Sequence, residues 1–133
     1  MDVKKFEPID DETEALIAAI IDCAYKVYIQ LGPGLLESVY ETCLCKELAK
    51  RNISFQQQFK VPVVYDGETL DEGFRIDLYV EGKVVVELKA VNEMLPVFQA
   101  QVITYLKLTR HRIGLLINFN VPTFKGAAKR IIL

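Results

Sequence analysis

Residues 74–89 read Phe74-Arg75-Ile76-Asp77-Leu78-Tyr79-Val80-Glu81-Gly82-Lys83-Val84-Val85-Val86-Glu87-Leu88-Lys89. Two runs rich in Val, Ile, Tyr and Phe flank a Glu-Gly pair, the pattern of antiparallel strands joined by a tight turn. On the second strand Glu87 and Lys89 project to one face and Leu88 to the other. The remaining residues there are Val84, Val85 and Val86, and an unpaired charge buried in such a strand costs several kcal/mol. Either the strand end emerges into solvent with a simple surface pair, or the charges serve chemistry. Asp77 on the neighbouring strand favours chemistry, because it can join Glu87 around one divalent ion, and hard cations take carboxylate, carbonyl and water oxygens.

That pairing carries a condition. A two-residue loop Glu81-Gly82 pairs Val80 with Lys83 and sets Asp77 opposite Val86, on the wrong face for Glu87. An odd loop, such as Val80-Glu81-Gly82 with Tyr79 against Lys83, puts Asp77 on the face of Glu87. The odd loop or an equivalent bulge is expected.

Working outward, Phe55 to Tyr65 is a further strand of the same meander, ended by Asp66-Gly67, and the neighbouring strand is expected over Phe74 to Val80. Upstream, Asp11 and Glu14 resemble a capping box, and Leu16, Ile17, Ile20, Ala24, Val27, Tyr28 and Leu31 follow helical spacing to about Leu31. Gly32-Pro33-Gly34 breaks that helix, and a second fits Leu35 to about Arg51. Gly34, Glu37 and Tyr40 then lie near one face of it. Downstream, Pro96 suits the first turn of a third helix running to about Thr109, with Gln101 and Tyr105 four apart on one face. Ile113 to Phe119 reads as a buried strand and Arg130 to Leu133 as one more edge strand. The order is ααβββαβ(β), an α/β (α+β) class. Residues 1–133 read as a single domain with residues 1–10 a loose lead-in.

Composition narrows the chemistry. The chain has 133 residues, 51% hydrophobic and 26% charged, with a net charge of −2 and no run long enough to span a membrane. No export signal is visible, so the cytoplasm is expected and free thiols are expected for Cys23, Cys43 and Cys45. Cys43 and Cys45 point to different helix faces, and His111 is the one histidine, so a zinc site of convergent Cys and His ligands is not expected. After Glu93 there is no acid, while Lys107, Arg110, Arg112, Lys125, Lys129 and Arg130 all follow it. A local basic face can meet a polyanion even on an acidic whole.

These residues resemble a known group. Gly34-Leu35-Leu36-Glu37-Ser38-Val39-Tyr40, the set Asp77 with Glu87-Leu88-Lys89, the Gln101 to Tyr105 element and Gly114-Leu115-Leu116-Ile117-Asn118-Phe119 stand in the order of the GxxExxY proteins, a branch of the PD-(D/E)XK nuclease-like superfamily. Ile76 stands where many relatives have proline. The resemblance implies a restriction-endonuclease-like core, with a mixed central sheet flanked by helices. It also implies a metal-dependent nuclease acting on phosphodiester bonds, DNA first. In that reading Asp77, Glu87 and the Leu88 carbonyl, with Glu37 directly or through water, hold Mg²⁺ or Mn²⁺, Lys89 positions or helps deprotonate water, and Gln101 orients the site or touches the substrate backbone. Tyr40 and Tyr105 support the site, and Arg75 is a further phosphate contact. The alternative is a catalytically silent nucleic-acid- or partner-binding module on the same fold, with a homodimer or protein partner left open and no membrane role.

Overall fold

The computed structural model describes residues 8–133, so most of the expected lead-in lies outside the described residues. Among them the chain forms α1 (Asp11–Leu31), α2 (Glu37–Lys50), β1 (Phe55–Tyr65), β2 (Glu68–Val80), β3 (Val84–Lys89), α3 (Pro96–Thr109), β4 (Ile113–Asn118) and β5 (Ala128–Ile132). The strands form one sheet in the order β1-β2-β3-β4-β5. β3 and β4 run parallel and the other neighbours antiparallel. α3 supplies the crossover that a parallel pair requires. No described helix is long and apolar enough to cross a membrane.

The sheet carries a helical layer on each face. Ile17, Ile20, Cys23, Ala24, Val27 and Tyr28 of α1 and Tyr40, Leu44 and Leu48 of α2 pack with Leu78, Val84, Val86, Leu88, Leu115 and Ile117. Val102, Tyr105 and Leu106 of α3 pack on the other face with Val85, Leu116, Val61 and Ile76. A Cβ on Gly114 would lie 3.0 Å from both Val102 Cγ1 and Val85 O, so glycine lets α3 settle close against β4. Buried on both faces, β3 and β4 read as apolar runs rather than alternating ones.

Three local expectations shift. α1 is capped by Asp10, whose carboxylate accepts from Thr13 N–H at 2.7 Å, while Glu14 reaches across to Arg130. The box expected from Asp11 and Glu14 is one residue out of place. α2 starts at Glu37 because Leu36 stays extended at φ −70° and ψ 147°, which leaves Gly34 in the loop rather than on the helix. β2 starts at Glu68, not Phe74, because the Asp66-Gly67 turn lets the polar residues after it pair back on β1.

The loop parity expected from the site is present, in a different register. Val80 pairs with Val84 across the three residues Glu81, Gly82 and Lys83, and Lys83 N–H closes the turn on Val80 O at 2.9 Å. Glu81 and Gly82 both have positive φ, 53° and 61°. Tyr79 therefore faces Val85 rather than Lys83, and the ladder brings Asp77 level with Glu87. Pairing to β3 covers only Leu78–Val80 of β2, so the rest of β1 and β2 forms a two-stranded ribbon.

That ribbon changes faces where it leaves β3. Ile76 and Leu78 are two apart and fully buried, yet Ile76 packs with α3 and Leu78 with α1 and α2. Opposite this point Gln58 adopts φ 48°, the left-handed region that a residue with a Cβ seldom occupies. The kink lets the Asp77 side chain reach β3 instead of lying flat on a sheet face.

Candidate active site

Where the β2–β3 ladder ends, two carboxylates take over its hydrogen bonds. Asp77 N–H donates to Glu87 Oε1 at 2.9 Å, and Leu88 N–H donates to Asp77 Oδ2 at 2.9 Å. Each acid thus grips the other's strand. Glu87 is only 5% exposed and Asp77 is half-buried. Burial, then the charge of Asp77, push Glu87 up to about 8, with Glu37 adding to the effect and Lys89 opposing it. The two acids meet as expected, but along the end of the ladder rather than on one sheet face, and Glu87 is no surface charge at a strand end.

α2 brings two more acids to this edge. Burial and then Asp77 raise Glu37, with Lys89 pulling it back. Glu41, one turn further on, is raised by burial. Its carboxylate accepts from Gln57 Nε2 at 3.1 Å and Gln58 Nε2 at 2.9 Å, and Gln58 Nε2 also lies 3.2 Å from Asp77 Oδ1. Glu41, Gln57 and Gln58 had not been singled out in the sequence. Glu41 stands four residues after Glu37, a spacing that shares a helix face.

Lys89 leaves β3 on the Glu87 side and sets its ammonium 4.5 Å from the centre of the Phe98 ring at the start of α3. Asn118 holds the backbone just beyond it: its Oδ1 accepts from Val91 N–H and its Nδ2 donates to Val91 O, at 3.1 and 3.0 Å. Tyr105, buried beneath the site, is pushed up to about 12 by burial first and then by Glu87 and Asp77, so its phenol stays protonated. Gln101 is half-buried one turn earlier, with no side-chain hydrogen bond among the described residues.

Two expected residues stand apart from the carboxylates, and a third, Leu88, meets them through its backbone alone. Tyr40 is fully buried, stacks on Phe119 at 4.4 Å and bonds the loop before α2, donating to Gly32 O at 2.6 Å and accepting from Leu35 N–H at 3.2 Å. It holds the turn that aims Glu37, and Gly34 at φ 99° is the residue that turn needs. The Leu88 side chain belongs to the α1–α2 core, so only its backbone faces the site. Arg75 is exposed on the ribbon, paired in register with Lys60.

Chemically, the site offers hard oxygen donors, a lysine and no thiol. Among the described residues no group of three or more His, Cys, Asp and Glu stands ready as a metal cage. What fits a divalent cation is the buried Glu87 beside Asp77, whose anionic form burial and then the Asp77 charge disfavour and a bound cation would favour. A mixed sheet between helical layers, with an Asp and a Glu-x-Lys meeting at the end of its central strands, defines a nuclease-like fold. The chain belongs to the PD-(D/E)XK nuclease superfamily, which matches residues 14–131. No curated protein and no solved structure matches it.

Proposed function

We propose that this chain is a divalent-metal-dependent nuclease of the GxxExxY group, hydrolysing phosphodiester bonds, DNA first. The observation that carries the reading is the reciprocal Asp77–Glu87 arrangement with Lys89 on the same strand, in a chain of nuclease family. Asp77, Glu87, the Leu88 carbonyl and Glu37 would hold Mg²⁺ or Mn²⁺. Once bound, the ion supplies a water of lowered pKa and neutralises charge on the phosphate. Lys89 orients that water and stabilises the charge developing on the phosphate oxygens, aided by a partly dry setting. Gln101 contacts the substrate from α3, and Tyr105 packs beneath Glu87 as a neutral donor.

A second reading, a silent nucleic-acid- or partner-binding module, draws on the same bonds: both carboxylates already serve backbone amides, and among the described residues no third acid closes a cage with them. The test is cleavage of labelled single-stranded, double-stranded and branched DNA and RNA with Mg²⁺ or Mn²⁺, comparing the native chain with Lys89→Ala. A loss of 10²-fold or more in the variant is expected. A folded native chain that binds these probes but leaves all of them intact would favour the second reading.

A further inference from the structure

The ribbon beyond the site presents a pair of neighbouring cations. Lys60 and Arg75 are direct neighbours across the β1–β2 ladder. Both are exposed, and neither makes an ion pair or side-chain hydrogen bond among the described residues. Like charges directly opposite on a ladder are destabilising, so this pair weakens the ribbon unless an anion lies over it.

Their direction follows from what flanks them. Val61 and Ile76, on either side in register, pack with α3, and Phe59 lies against that cluster too. Phe74 sets its ring edge-to-face on Tyr105 of α3, with centroids 5.4 Å apart. Lys60 and Arg75, between these residues, therefore point to the opposite side, the one on which α2 brings Glu37 and Glu41 to Asp77. Two residues of strand separate Arg75 from Asp77 and Lys60 from Gln58, a rise of about 7 Å. That is a step of one nucleotide along a backbone. Further out the ribbon turns acidic at Asp66, Glu68 and Asp71, so the cationic stretch is a single step long.

We infer that Lys60 and Arg75 form a phosphate clamp, holding the nucleic-acid backbone on the α2 side of the ribbon one nucleotide from the Asp77–Glu87 centre. The clamp rests on the nucleic-acid reading proposed above and adds where the strand runs. Its ligand is the sugar-phosphate backbone of DNA or RNA, irrespective of base. The two cations act by charge, and the ribbon fixes their spacing.

The test is binding of a labelled oligonucleotide, single- and double-stranded, by anisotropy in EDTA over a series of salt concentrations. The native chain is compared with Lys60→Gln/Arg75→Gln. Expected is a tenfold or greater weakening, with the slope of log affinity on log salt falling by about 1.4–1.8, since each lost phosphate contact removes about 0.7–0.9. The variant should melt no lower than the native chain, because a repulsion has been removed, so weaker binding cannot be laid to unfolding. Native-like affinity and slope in the variant overturn the clamp while leaving the nuclease reading in place. A native chain that binds no oligonucleotide in EDTA, nor with Ca²⁺ supplied in its place, overturns both.

Discussion

The two faces of β3 are built to different ends. Towards α1 and α2 it presents Val84, Val86 and Leu88, all fully buried. Towards α3 it presents Val85, then Glu87, then Lys89. The first face interlocks with two helices and stabilises the fold, whereas the second gives up apolar contact at its end to gather charge. A strand only six residues long thus divides its duties by parity alone.

Substitutions at consecutive positions should break the comparison cleanly. Glu87→Gln is expected to reduce cleavage by 10³-fold or more while leaving the apo melting temperature unchanged or higher, because it neutralises a buried acid that Asp77 and Glu37 disfavour as an anion. Leu88→Ala should do the reverse, costing about 2–5 kcal/mol by denaturant titration, with activity per folded molecule largely kept. Large stability losses in both variants would show that the α3 face is structural too.

Tyr40→Phe sharpens the picture from the α2 side. It leaves Gly32 O and Leu35 N–H without their phenol, and a loss of about 1–2 kcal/mol is expected in the melting curve.

Acidity provides a finer probe of the charged face. Glu87 sits near 8 when folded against an ordinary 4.5, so the folded apo chain retains a proton that the unfolded chain has lost. Its contribution to stability is complete below about pH 4.5 and declines as pH climbs to about 8. The apo melting temperature of the native chain should therefore fall across that window more steeply than that of Glu87→Gln, and Mn²⁺ should raise it more at pH 8 than at pH 5. Smallest of all, Gln58→Ala should weaken Mn²⁺ binding several-fold, measured by titration calorimetry, since it frees Asp77 from the amide that steadies it.

Much of this is legible in the sequence. Element order and the three-strand meander follow from periodicity and turn residues, the mixed sheet follows from the family resemblance alone, and the parity of the β2–β3 loop follows from requiring Asp77 and Glu87 to meet. The register does not, since Lys83 sits in the turn rather than in the ladder. The Glu41–Gln57–Gln58 bridge was invisible because it depends on the left-handed backbone at Gln58 and on how α2 docks against β1, neither of which leaves a local pattern. The sequence makes Tyr40 a supporting residue, but the means, its bonds to the preceding loop, belong to the fold. Polar residues such as Glu68 and Asp71 gave no strand signal, because the ribbon there buries little and is held by pairing alone.

The parallel contact of β3 with β4 has a consequence in time. Asp77 and Glu87 are ten residues apart and meet through a hairpin, whereas Val85 meets Gly114 only after the whole of α3 has been placed. Closing the longer loop costs more chain entropy and belongs to the slower class of folding events. On a growing chain the two acids would come into register first. The platform bearing Gln101 and Tyr105 would close over them only after β4 had emerged, so the proposed activity would wait on that strand.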